Sequence, residues 1–199
     1  TFWLNRTFFD DKVRRTESEG KMAPRPLIYH RWGGLGSHRY QLGFSGDTYT
    51  TWKVLGYLPY FTSTASNVGY GYWGHDIGGH MNPKGESGTN PEMLTRWLQF
   101  GVFTPIFKTH STKNASLERR IWVFPDHFDA MKAAIRLRYT LSPYIYTAAR
   151  ATYDTGISMC RPMYYDYPEE DLAYSWNQQY MFGDDILAAA IDREADKVT

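Results

Sequence analysis

Three short apolar runs in this chain each deliver a charged side chain beside glycine, and stretches of helical pattern separate them. RPLIYHR, residues 25–31, is bounded by Pro24 and by Gly33-Gly34. YQLGFSGD, residues 40–47, ends on a carboxylate behind Gly46. GYGYWGHDI, residues 69–77, presents Asp76 just before Gly78-Gly79. Runs this short and this punctuated read as buried strands rather than helices. RPMYYDY, residues 161–167, reads as a fourth strand, and 179–191 as one more apolar strand.

The intervening segments carry helix signals. Residues 2–9 predict a helix that ends in the polar loop DDKVRRTESEGK. Residues 50–61 form a candidate helix broken at Pro59. Asn90 caps a helix with Pro91 at its first position, and Leu94, Trp97, Leu98 and Gly101 mark its buried face until Pro105 stops it. A longer helical region runs from about 125 to 152, is divided at Pro143 and ends at Gly156. Strands alternating with helices predict an α/β fold with a parallel sheet. A barrel of this class keeps its active site at the C-terminal ends of its strands, where the charged residues fall. Four barrel strands are half of the eight that closure needs, so an incomplete barrel is expected: an excerpt, or one partnered by its missing half.

Composition removes several function classes. A net charge of +1 over 199 residues supplies no field for nucleic acid or a charged membrane surface. No apolar run approaches the ~20 residues of a membrane-spanning helix. The opening TFWLNRTFF has no Met and no basic n-region, which says little of an excerpt. Cys160 is the single cysteine, so no intrachain disulfide can form, and its apolar setting reads as a buried inert thiol. The chain is 17% aromatic, with 16 Tyr and 7 Trp. Flat rings fill cores and also wall sugar subsites; composition alone favours the core.

Asp47 and Asp76 leave neighbouring strands into glycine-rich turns. Cleaving a glycosidic bond needs two carboxyl groups across it, and spacing alone allows these two to be that pair. Either one alone also fits a capping role. Arg31 can fork onto sugar hydroxyls or hold a carboxylate, or form a structural ion pair. His110 is either a hydrogen-bonding ligand for a hydroxyl or a structural histidine. His75 and His80 lie five apart across two glycines, whereas a zinc-binding helix wants a spacing of four; no metal and no cofactor are expected.

At these motifs the sequence resembles glycoside hydrolase family 31, the α-glucosidases and α-xylosidases. The resemblance is carried by HRWGGLGSHRYQLGFSGDTYTTW, GYWGHDIGGH, RWLQFGVFTPIFKTHS and RPMYYDYP. It implies the C-terminal part of a TIM (β/α)8 barrel over 1–178 and the start of a following C-terminal β domain over 179–199. It also implies a retaining, exo-acting mechanism on α-linked oligosaccharides. Asp47 then matches the acid/base carboxylate, Arg31, Asp76 and His110 match groups that bind the cleaved sugar, and Phe44 matches an aromatic wall. The family's nucleophile, an Asp in a WxD-like motif, has no counterpart here, so the pairing of Asp47 with Asp76 gives way. The missing N-terminal part of the barrel is the implied partner, and the chain alone is expected to be inactive. In the intact protein, burial and the neighbouring carboxylate are expected to raise the pKa of Asp47. Three positions depart from the common pattern: Lys108 for Arg, His80 for Phe after DIGG, and Ala190 for Pro. The alternatives are a transglycosylase of the same family or a non-catalytic sugar-binding protein.

Overall fold

The computed structural model describes residues 2–31, 33–40 and 42–194. It opens with helix α1, Phe2–Ser18. The helix continues well past residue 9 because the polar stretch expected as a loop supplies its own support. Asp10 and Asp11 pair with Arg14 and Arg15 at 3.8 and 2.6 Å, one helical turn on.

The next elements build a parallel array in chain order. His30 bridges Gly43 in β1 (Gly43–Phe44), β1 pairs with β2 (Trp73–Gly74), and Gly74 bridges Ile106, all parallel. This is the arc of a barrel. Among the described residues it does not close. Among the described residues, the segment 25–31 joins the array only at His30. The fourth member lies at Ile106, not at 161–167. Pro105 and the polar residues after it hid that strand from periodicity, because a buried parallel strand so short leaves no alternation to read.

Gly74 shows how closely the strands approach: a Cβ on it would sit 2.7 Å from both Ile106 Cβ and the Ile106 carbonyl oxygen. Helices α2 (Trp52–Thr64) and α3 (Pro91–Val102) cover the outer face. Thr51 caps α2 by accepting from the Val54 amide at 3.2 Å, and Asn90 caps α3 by accepting from Met93 at 3.0 Å. Pro59 lies inside α2 without breaking it. Its missing N–H removes one ladder bond, and the buried Leu55, Leu58 and Thr62 hold the helix to the core on either side.

Proline does divide the later helical region. Helix α4 (Pro125–Thr140) gives way to α5 (Ser142–Thr155), with Pro143 in the first turn of α5 and the left-handed Gly156 at its end. Arg138 of α4 donates to the carbonyls of Val102 and Pro105 at 2.8 Å and also to that of Thr104. It thereby satisfies the carbonyl end of α3.

Cys160–Pro162 (β3), Gln179–Phe182 (β4) and Ile186–Ala189 (β5) form an antiparallel sheet, with short helix α6 (Asp171–Ser175) in between. The run 179–191 is therefore two strands turning at the left-handed Gly183. The sheet also straddles the boundary expected at 178/179, since β3 pairs with β4 across it. One core joins barrel and sheet: Leu55, Leu58, Leu94, Trp97, Leu98 and Met131 pack with Tyr180 and Phe182. The Tyr180 hydroxyl donates to the Phe103 carbonyl at 2.7 Å, and that of Tyr144 donates to Phe182 at 2.9 Å. Cys160 is fully buried, and burial pushes its thiol well above the ordinary range, so it is inert as expected.

Candidate active site

Successive strand ends converge because the parallel ladder fixes their stagger. The Phe44 amide donates to His30 at 3.0 Å, Ser45 to Gly74 at 3.1 Å, and Ile77 to Lys108 at 2.9 Å. Side chains alternate along a strand, so residues two apart share a face. Tyr29 and Arg31 thus reach one side of the array, as do Lys108 and His110. Asp76 and His75, being adjacent, point opposite ways.

Arg31 Nη1 donates to Asp47 Oδ1 at 2.7 Å. The ion pair is about 40% exposed, with side-chain values of 42% and 36%. The Arg31 guanidinium holds the Asp47 carboxyl below the usual carboxylate range, aided by the charges of His80 and His110. The rise expected for the intact barrel depends on a carboxylate that the described residues do not supply, and in this chain the carboxyl is held low. Asp47 is too exposed for desolvation to win over a hydrogen-bonded cation.

Asp76 is fully buried and is held by the Lys108 ammonium at Oδ1. The Lys108 Nζ also lies 4.3 Å from the Phe44 ring centroid and 5.4 Å from that of Tyr29, and those rings stack at 5.2 Å. Lysine at this position therefore does two jobs: it neutralises a buried carboxylate and lies over an aromatic wall. Tyr29 went unremarked in the sequence, although its place two residues before Arg31 carried the signal.

His80 stands between the two carboxylates. Its Nε2 is 3.8 Å from Asp47 Oδ2 and its Nδ1 is 3.5 Å from Asp76 Oδ2, while its ring lies 5.1 Å from that of His110. Ligand atoms of Asp76, His80 and His110 fall within 4.8 Å of one another, a spacing that could hold a metal ion. The Lys108 ammonium already on Asp76 opposes a divalent cation there. His75 takes no part. It is buried on the helix side, where Thr62 Oγ1 and His75 Nε2 hydrogen-bond at 2.7 Å among Phe61, Trp73 and Phe100.

Tyr29, Arg31, Phe44, Asp47, His80 and His110 line a groove of about 550 Å³, which Leu4, Asn5 and Phe8 of α1 bound on one side. A concave, mixed apolar and polar site of this size suits a small polar ligand. Asp76 lies beneath it, reaching the groove through His80 and Lys108.

The family model for the glycosyl hydrolases family 31 TIM-barrel domain matches residues 3–148, and that for the family 31 C-terminal domain matches 156–199. The chain belongs to glycoside hydrolase family 31. It is 31% identical over 168 residues to alpha-glucosidase 2 of Bacillus thermoamyloliquefaciens, covering 84% of this chain and 21% of that protein. It is 32% identical over 169 residues to an alpha-xylosidase of Saccharolobus solfataricus, covering 84% of this chain and 23% of that protein. Among solved structures it superimposes on a family 31 dextranase of Flavobacterium johnsoniae complexed with isomaltotriose. The TM-score is 0.81 at 27% identity, over 95% of this chain and 24% of that one. The chain thus spans about a fifth of the length of the curated relatives it matches. The matches carry the expected α/β architecture, the C-terminal part of a TIM barrel that stays open among the described residues.

Proposed function

We propose that this family 31 chain contributes the acid/base side of a retaining, exo-acting α-glycoside hydrolase that acts on α-linked oligosaccharides. The observation that carries the reading is the convergence of Asp47, Arg31, His80, His110 and Phe44 on one groove, with Asp76 beneath it. The family's α-glucosidase and α-xylosidase relatives support the α-glycoside class, and the oligosaccharide bound to a structural neighbour supports a sugar ligand.

In this reading Asp47 protonates the departing glycosidic oxygen and then takes a proton from the incoming water. Arg31 and His110 meet sugar hydroxyls, and Phe44, stacked on Tyr29, offers a flat wall to the sugar face. Asp76 acts on sugar hydroxyls through Lys108 and His80 and is not the nucleophile. It is fully buried and neutralised by Lys108, which leaves its oxygens poorly placed to attack an anomeric carbon. A second carboxylate from the rest of the barrel supplies that attack. It also supplies the negative charge that brings the Asp47 proton into the working range, against the pull of Arg31. The isolated chain is therefore inactive.

The test replaces Asp47 by Asn in an enzyme that carries the complete barrel around this chain. Turnover of an aryl α-glucoside or α-xyloside should fall by about 10²–10⁴. Undiminished turnover would remove Asp47 from the mechanism. Sugar binding by the complete barrel without any turnover would favour the sugar-binding reading. Product analysis at high sugar concentration separates hydrolysis from transfer to a second sugar.

A further inference from the structure

His80 occupies a position that neither the hydroxyl-binding nor the acid/base role explains. Its backbone is clamped on both sides: its N–H donates to Thr48 at 2.8 Å, and its carbonyl accepts from Thr112 at 2.9 Å. The preceding Gly79 has φ +77°, and a Cβ there would meet the Thr50 backbone and side chain at 2.8–2.9 Å. These contacts tie the His80 backbone to the loops that follow Asp47 and His110.

We propose that His80 is a positioning residue that links Asp47 to Asp76 through one imidazole and thereby sets the proton affinity of Asp47. A neutral imidazole has one N–H and serves one carboxylate; an imidazolium has two and faces both. Asp76 Oδ2 and His80 Nδ1 are buried and have no hydrogen-bond partner among the described residues, although the two atoms face each other at 3.5 Å. A proton on His80 turns that facing pair into a charge-assisted contact.

Fixed charges surround the ring. Arg31 faces Asp47, and Lys108 faces Asp76. Arg119 donates to the Gly78 and Gly79 carbonyls just before His80, while Glu118 is paired with Arg120. The His110 ring lies 5.1 Å from that of His80. A proton on His80 adds one positive charge to this setting. The charge lies nearer the Asp47 carboxylate than a Debye length, so solvent ions do little to hide it. Charged His80 favours the Asp47 anion, and neutral His80 makes Asp47 easier to protonate. The functional meaning rests on Asp47 being the acid/base group; the coupling itself does not.

The experiment is a carbon NMR titration of the Asp47 side-chain carboxyl in the 199-residue chain, its His80→Phe variant and its His80→Asn variant. Both variants should raise the Asp47 transition by about 0.5–1 pH unit, the size of one charge removed at ~4 Å in a water-like medium. An unmoved transition in either variant, in a protein whose amide spectrum matches the parent, overturns the proposal. Turnover does not enter this readout, so the acid/base reading can fail by its own test while the coupling stands, or the reverse.

Discussion

At the scale of single residues, adjacent histidine and aspartate show how strand parity divides labour. Asp76 reaches toward the groove, while His75, one position earlier, is sealed among aromatic rings on the helix side. Burial pushes the His75 imidazole down to about 3, with the Lys108 charge assisting. The sign follows from which form the fold prefers. Neutral His75 suits the folded state, so its contribution is complete above the ordinary imidazole value near 6.5 and is lost as pH falls toward about 3. Unfolding free energy should decline by up to ~1.4 kcal/mol per pH unit across that window. Denaturant melts at several pH values would show it. His75→Gln, which keeps a hydrogen-bonding partner for Thr62 but cannot titrate, should flatten the decline. Arg31, Phe44, Asp47, Asp76 and His110 were legible in the sequence, because each stands in a motif. The weight of His80 and Lys108 was not. Lys108 showed only as a departure from a pattern, and His80 as a departure and a rejected metal ligand; what makes them matter is the approach of loops distant in sequence.

At the scale of elements, punctuation was more informative than periodicity. Asn90-Pro91 started α3 where expected, and Pro143 and Gly156 divided and ended α4 and α5 as expected. Replacing Asn90 by Ala should cost about 1 kcal/mol, because the Met93 amide then loses its acceptor. Asn90→Asp should cost less, since a carboxylate also accepts that bond and complements the helix dipole. Thermal or chemical denaturation of the two variants would separate them. Strands were harder to read. A two-residue ladder such as β1 or β2 leaves almost no alternation, and the Ile106 strand is disguised by Pro105 and by the polar face it shows to the groove. The span of α1 was missed for a different reason: its second half is held by ion pairs rather than by an apolar stripe.

At the scale of the whole molecule, the parallel array has unpaired margins among the described residues, and its first margin is lined by apolar residues. Trp3, Leu4 and Phe8 of α1 are 62–73% exposed, and Leu27 beside the first strand segment is 68% exposed. An apolar surface of this kind is a docking face for further protein. The 199-residue chain should therefore associate as its concentration rises and should bind a hydrophobic dye. Sedimentation velocity over a concentration series would show the association, and a Leu4→Glu, Phe8→Glu double variant should reduce it. The strand count pointed to an open barrel although one of its four strands, 161–167, belongs to the antiparallel sheet and the array's fourth member is at Ile106; the position of that sheet was hidden because β3 lies so close in sequence to α5.

The shared core has a mechanical consequence. Tyr180 and Phe182 reach from the sheet into the packing of α2, α3 and α4, and two tyrosine hydroxyls cross between the parts. The passage from one family domain to the next, between residues 148 and 156, is thus a seam in the chain but not a hinge in the solid. A single backbone cut there should leave two pieces that stay together and melt as one.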